Sequence, residues 1–185
     1  MPELPEMETY RSLLLQTVVN QRVTVAHVQR EKSINVPVTE FKRRVEGRRI
    51  GNITRRGKHI LFWLDSQDIL LLHLMLGGWM YYGTMADKPD HDSQVDLTLE
   101  NDHTLFFLGL RLGYLHVIDM PSLTERLRDM GPEPLDPAFT ADDLRTALTH
   151  KRGSLKSALT DQHCISGIGN RYSDEIFASR PVFSH

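Results

Sequence analysis

The sequence predicts an α+β fold, a two-sheet β-sandwich with an N-terminal helix followed by a helical domain. Three observations predict it: a helical opening, a dense series of short strand patterns between residues 22 and 118, and a purely helical remainder beyond a proline-rich break. Short amphipathic strands so close together must bury one face against a second sheet, and the first helix packs against that pair. The break at Gly131-Pro132-Glu133-Pro134 divides the chain into a β-sandwich domain, residues 1–130, and a helical region, residues 131–185.

In chain order, Met7, Leu14 and Val18 recur at helical spacing within residues 3–19, with Tyr10 and Arg11 beside them. Residues 22–28 alternate apolar and polar, as a half-buried strand does, and residues 38–46 form a short amphipathic helix stopped by Gly47. Strands follow over 48–54, 59–64, 69–74 and 79–82, then a polar loop over 87–93. Residues 95–99 and 104–108 flank Asn101-Asp102, a hairpin signal, and 114–118 complete the β-rich unit. Residues 122–129 are helical. After the proline-rich linker, Thr140 caps a helix running to His150, and 154–163 form another. A tight glycine turn, Ser166-Gly167-Ile168-Gly169-Asn170, leads to a third helix over 171–179. Two helices around such a turn resemble nucleic-acid readers in which a helix start offers backbone N–H groups to phosphate.

Composition narrows the function classes. Hydrophobic residues at 40% and charged residues at 25% of 185 are ordinary for a globular chain with a substantial core. A single cysteine, Cys164, excludes an intrachain disulfide and a Cys-rich metal site, so no metal or cofactor is expected and the setting reads as reducing and intracellular. No apolar run reaches the roughly 18 residues of a membrane span, and the proline- and acid-rich start is unlike a targeting peptide. Net charge is −2, yet Arg43, Arg44, Arg48, Arg49, Arg55, Arg56 and Lys58 share one short span. That cluster suits a solvated face and a phosphate-facing surface equally.

The chemistry concentrates in a few places. With Met1 removed, Pro2 would present a secondary amine, partly neutral near pH 7 and able to form an iminium at an electrophilic carbon, with Glu3 adjacent as general acid/base. Taken alone, the stretch suits a helix start just as well, because Pro and Glu favour the first turn. Lys58 follows Gly57 at a strand start, where a backbone can approach a ligand closely, although a surface lysine is the plainer use. His73 interrupts an apolar strand, as a core histidine can. Arg111 lies between Leu110 and Leu112 and needs an anion or carbonyl partner if buried. Asn170 on its own reads as a helix cap.

Together these residues fall into ordered motifs. They are Met-Pro-Glu-Leu-Pro-Glu at the start, Arg-Arg-Gly-Lys-His-Ile-Leu-Phe at 55–62, His-Leu-x-x-Gly at 73–77, Gly-Pro-Glu-Pro-Leu at 131–135, and Asp161-Gln162 followed by Gly167-Ile168-Gly169-Asn170-x-Tyr172-x-Asp174-Glu175. In this order they closely resemble the formamidopyrimidine-DNA glycosylase and endonuclease VIII family of base-excision repair enzymes, with Leu4 closer to the formamidopyrimidine branch. The resemblance implies a helix–two-turn–helix motif in the helical region. It implies a bifunctional glycosylase and abasic-site lyase acting on DNA with oxidised bases or abasic sites, as a monomer in the bacterial cytoplasm at the nucleoid. Pro2 would attack C1′ of a flipped-out nucleotide and Glu3 would move protons during the eliminations, with Glu6 ordering the helix start behind them. Lys58 would hold a phosphate beside the lesion, and His73, Arg111 and Asn170 would make further backbone contacts.

Two departures qualify the resemblance. The positions that plug the gap left by a flipped base hold Leu76, Leu110 and Leu112, and only Arg111 survives of an arginine pair. Leu76 and Leu112 can wedge apolar bulk into a stack, but Leu110 cannot hydrogen-bond a base. Weak opposite-base discrimination, or a preference for single-stranded or opened DNA, is expected. The chain also ends at Pro181-Val182-Phe183-Ser184-His185, before the family's further helices, lesion-covering loop and finger, so a zinc site belongs only to a longer protein. A non-catalytic relative that binds damaged or single-stranded DNA is the alternative; a helix-turn-helix regulator would leave the β-rich part without a role.

Overall fold

The computed structural model describes residues 1–149, 151 and 153–179. Helix α1 (Leu4–Thr17) precedes β1 (Val23–Val28) and α2 (Val38–Val45), and then β2 (Ile50–Arg56), β3 (His59–Leu64), β4 (Ile69–His73) and β5 (Trp79–Gly83). Strands β6 (Ser93–Leu99), β7 (Thr104–Leu108) and β8 (Tyr114–Ile118) follow, then helices α3 (Met120–Leu127), α4 (Ala141–Thr149), α5 (Leu155–Thr160) and α6 (Asn170–Ala178). The strands form two four-stranded antiparallel sheets, ordered β1-β6-β7-β5 and β2-β3-β4-β8. The α+β sandwich with its N-terminal helix is the fold read from the sequence.

The core lies between the sheets, where Val23, Ile53, Phe62, Leu72, Phe107 and Leu115 are fully buried. Met7, Leu14 and Val18 join it from the helix side, the spacing that marked α1. Strand β4 reads as a continuous apolar run because both of its faces are covered. Leu70 and Leu72 point into the sandwich, whereas Ile69 and Leu71 pack with Leu61, Ile118 and Leu123 of α3.

Several boundaries move for local reasons. Helix α3 begins before Ser122 because the Asp119 carboxylate accepts the Ser122 N–H (2.9 Å) and Pro121 occupies the first turn. Strand β2 begins at Ile50, since Arg48 is held in the preceding turn by its carbonyl, which accepts the Val23 N–H (2.9 Å). Helix α5 stops at Thr160 instead of 163 because the Asp161 side chain turns back to accept the His163 N–H (2.9 Å). The expected helix end at His150 and the terminal Pro181–His185 lie outside the described residues. Among the described residues, no helix is long and apolar enough to cross a membrane.

Candidate active site and nucleic-acid interface

The first residues and the last helix meet. Glu3 is the N-cap of α1 and is only 5% exposed, and its carboxylate, which forms a reciprocal capping box with Glu6, also reaches a second helix. It accepts N–H groups of Gly169 (2.7 Å), Arg171 (3.1 Å) and Tyr172 (3.2 Å) at the start of α6. A carboxylate at a helix N-terminus satisfies orphan donors and meets the positive end of the dipole. The cap of α6 is therefore supplied from the other end of the chain. Gly169 sits at negative φ, so what it provides is space: a Cβ there would overlap the Glu3 carboxylate. Glu6 reinforces the seam, accepting from the Glu3 N–H (3.0 Å) and the Tyr172 hydroxyl (3.1 Å). Burial works to raise the Glu6 carboxyl, but the backbone and Tyr172 hydrogen bonds and the Arg171 charge outweigh it and hold it below the ordinary range.

This geometry revises two readings of the sequence. The N–H groups of Gly169, Arg171 and Tyr172 are taken by Glu3 and are not free for phosphate. Asn170 is not the cap but the first residue of α6, exposed, with no hydrogen-bonded side-chain partner among the described residues. The turn itself is stapled by Gln162, whose Nε2 donates to the Ile168 carbonyl (2.7 Å) and whose Oε1 accepts the Gly167 N–H (2.9 Å).

The basic cluster divides in the same way. Arg43 pairs with Glu40, Arg44 with Asp68 and Arg49 with Glu100. Arg55, 6% exposed, donates to Glu8 (2.9 Å) and Glu133 (2.6 Å), and Arg56 binds Glu133 (3.0 Å) and the Met130 (2.9 Å) and Gly131 (2.7 Å) carbonyls. Ser166 also donates to Glu133 (3.0 Å). These arginines are structural, and the 131–134 segment is docked on the sandwich, not a free linker. Lys58 differs. It is 5% exposed and makes no side-chain hydrogen bond or ion pair among the described residues. Burial pushes its ammonium below the ordinary lysine range, against the pull of the nearby Glu3 carboxylate.

His73 pairs with His59, the residue after Lys58, its ring 4.6 Å from that of His59. Its Nδ1 accepts the Met75 N–H (3.1 Å), which leaves Nε2 as the protonated nitrogen of a neutral ring. Burial, helped by the Lys58 charge, lowers its pKa to about 4. Beyond it, the 74–78 and 109–113 loops interlock. Gly109 lies at φ 66°, and a Cβ there would strike the Gly77 carbonyl. The tips of the joined loops carry Leu76, 64% exposed, and Leu112, 61% exposed, and Arg111, next to Leu112, is exposed and has no side-chain partner among the described residues. Leu110 departs from the sequence expectation. Its side chain is fully buried in the sandwich core and is not available to DNA.

Residues 1–114 match the family model of the formamidopyrimidine-DNA glycosylase N-terminal domain, and residues 130–181 match that of the formamidopyrimidine-DNA glycosylase H2TH domain. The chain belongs to the formamidopyrimidine-DNA glycosylase family. The enzymes of this name from Carboxydothermus hydrogenoformans and Moorella thermoacetica are 35% and 36% identical to it, each over 95% of this chain and over 64% and 66% of their own lengths. The chain thus spans about two thirds of these relatives. The Lactococcus lactis glycosylase non-covalently bound to DNA containing an AP site superimposes with a TM-score of 0.84 at 26% identity, over 95% of this chain and 68% of that one. The wild-type Lactococcus protein in complex with DNA containing N7-benzyl-Fapy-dG gives 0.85 at 27%, over 95% and 66%.

Within this glycosylase-family fold, Pro2, Glu3, Glu6, Lys58 and Asn170 gather around the α1–α6 seam. His73, Leu76, Arg111 and Leu112 continue from Lys58 along the interlocked loops. The sequence reading gave no role in holding this arrangement to Glu8, Glu133, Gln162, Ser166 or Tyr172, although all but Glu8 stand in the motifs or the glycine turn it picked out. Glu133 had the clearest signal, an acid between two prolines facing a chain with two consecutive arginines.

Proposed function

We propose that this chain carries the catalytic and helix–two-turn–helix parts of a base-excision-repair DNA glycosylase with abasic-site lyase activity. The observation that carries this reading is the Glu3 carboxylate anchored on the Gly169, Arg171 and Tyr172 N–H groups. That anchor fixes Pro2 at the positive end of α1, where the dipole opposes protonation of a freed amine. Once Met1 is removed, the Pro2 nitrogen attacks C1′ of a flipped-out nucleotide. The N–C1′ bond forms, and the base leaves with the glycosidic electron pair. Opening of the sugar ring then gives an iminium, with Glu3 moving the ring and elimination protons. Lys58, without an ion pair among the described residues, serves a phosphate beside the lesion. His73 Nε2–H, Asn170 and Arg111 add contacts that position the strand without reading sequence. Leu76 and Leu112 fill the gap left by the flipped nucleotide. On this reading the protein acts as a monomer on DNA in the bacterial cytoplasm.

Borohydride trapping on abasic-site DNA tests this. The chain with Met1 removed, verified by mass spectrometry, is expected to give a covalent adduct that Pro2→Gly abolishes. A full yield of adduct from protein that retains Met1 would overturn the assignment of Pro2. Binding of abasic DNA without any adduct would favour a non-catalytic damage-binding relative.

A further inference from the structure

Beside the exposed loop tips lies a cleft of which the proposed reaction uses only Arg111, at its rim. Its volume is about 300 Å3, at the lower end of ligand clefts, and Trp79, His91, Asp92, Gln94 and Arg111 line it together with the Leu108-Gly109 backbone. Gln94 is locked, since its Oε1 accepts the Leu110 N–H (2.8 Å) and its Nε2 donates to the Asp92 carbonyl (3.0 Å). Trp79 is half-buried at the start of β5 opposite Leu108, with His91 edge-on to its ring at 6.1 Å. Arg111 brings a guanidinium that is free among the described residues. The cleft therefore offers an indole, an imidazole, a cation and a carboxylate within one wall. A phosphodiester would meet Asp92 unfavourably. A nucleobase, with a flat π face and both donors and acceptors on its edge, suits all four.

We infer that this cleft receives the unpaired base of the strand opposite the lesion, stacked against Trp79 with its edge toward Arg111 and His91. The inference rests on the proposed function, because only wedging by Leu76 and Leu112 would free such a base. It also accounts for the plug position taken by Leu110. With that side chain buried, an orphaned base loses its partner in the stack and gains one in the cleft. Stacking on an aromatic face is tolerant of base identity, so the cleft would accept any of the four.

The test compares two duplexes carrying a tetrahydrofuran abasic analogue, one with a normal base opposite and one with a second tetrahydrofuran opposite. Trp79→Ala in the full 185-residue chain is expected to weaken binding of the first roughly 5- to 100-fold, the range of base–aromatic stacking, and to leave the second unchanged. Trp79→Phe, which keeps a platform, should restore most of the loss and guards against misfolding. Equal weakening on both duplexes, or none on either, overturns this inference alone. Failure of the unaltered chain to bind either duplex overturns it together with the proposed function.

Discussion

The α1–α6 seam and the interlocked 74–78 and 109–113 loops treat their polar and apolar groups in opposite ways. In the seam the framing charges have partners: Glu3 holds three N–H groups, Arg55 bridges Glu8 and Glu133, and Arg56 holds Glu133 and two carbonyls. At the loops, two leucines stand more than 60% exposed and Arg111 has no partner among the described residues. Lys58 lies between the two, buried like the seam but unpaired like the loops. The lesson is one of reading charge by its partners. Paired groups build a frame, and unpaired groups at its edge mark where the proposed function places an outside anion or base.

The largest effect should come from breaking the frame. Glu133→Ala leaves Arg55 with Glu8 as its one carboxylate and Arg56 with none among the described residues, and removal of one member of a buried pair costs up to about 3–5 kcal/mol. Urea unfolding should show a loss of that order. A change under about 1 kcal/mol would mean that the 131–134 segment is not held by these arginines.

Next in size is a test of how the frame serves the chemistry. Gly169→Ala needs no backbone change, because the residue lies at φ −131°, but its methyl group would displace Glu3. A shift on the order of 1 Å can cost about 100-fold in rate, so abasic-site trapping should slow by that scale. In a Glu3→Gly background, already slow, the same substitution should have little further effect. Full additivity of the two changes would show that Gly169 acts on something other than Glu3.

Much of the frame was legible in the sequence, and the reasons are local. Periodic Met7, Leu14 and Val18 marked α1, and the Asn101-Asp102 turn marked the β6–β7 hairpin, where Asp102 takes φ 62°. What stayed hidden was long-range pairing. Asn170 at a helix start reads as a cap because capping is a local habit; nothing nearby reveals that Glu3, 166 residues before Gly169, takes the role. The basic stretch was ambiguous for the same reason, since Arg55 and Arg56 find Glu133 only after the fold forms. Leu110 and Leu112 are chemically identical and two residues apart, and only the path of the loop separates a core residue from an exposed wedge.

A third prediction concerns the imidazoles that connect frame and loops. His59 donates from Nδ1 to the Arg56 carbonyl (3.3 Å), and its Nε2 lies 3.0 Å from the Tyr114 hydroxyl, which can donate to a neutral ring. Burial, with the His73 charge opposing protonation, lowers its pKa from 6.5 to about 3. Above pH 6.5 neither folded nor unfolded chain binds this proton. As pH falls below that, the unfolded chain binds it and the folded chain does not, so stability declines until about pH 3. The slope contributed by one such group is up to about 1.4 kcal/mol per pH unit. His59→Gln should flatten the stability profile between those limits. An unchanged profile would show that the ring is already charged in the fold.

The smallest effects belong to the loops, and they separate binding from stability. Leu76→Ala and Leu112→Ala remove side chains that face solvent, so unfolding free energy should stay within about 0.5 kcal/mol. Binding to an abasic duplex should nevertheless weaken several-fold, because the wedge earns its contacts only inside the DNA stack. The same loops should discriminate poorly among opposite bases. A buried Leu110 offers no hydrogen bond to an orphaned base, and an apolar wedge fills the same gap against all four. Excision rates measured against each opposite base should therefore agree within about tenfold, since an apolar wedge and stacking on an aromatic face are tolerant of base identity. A strong preference for C would require a donor at the orphaned base that Leu110 does not supply, and would move that role to Arg111.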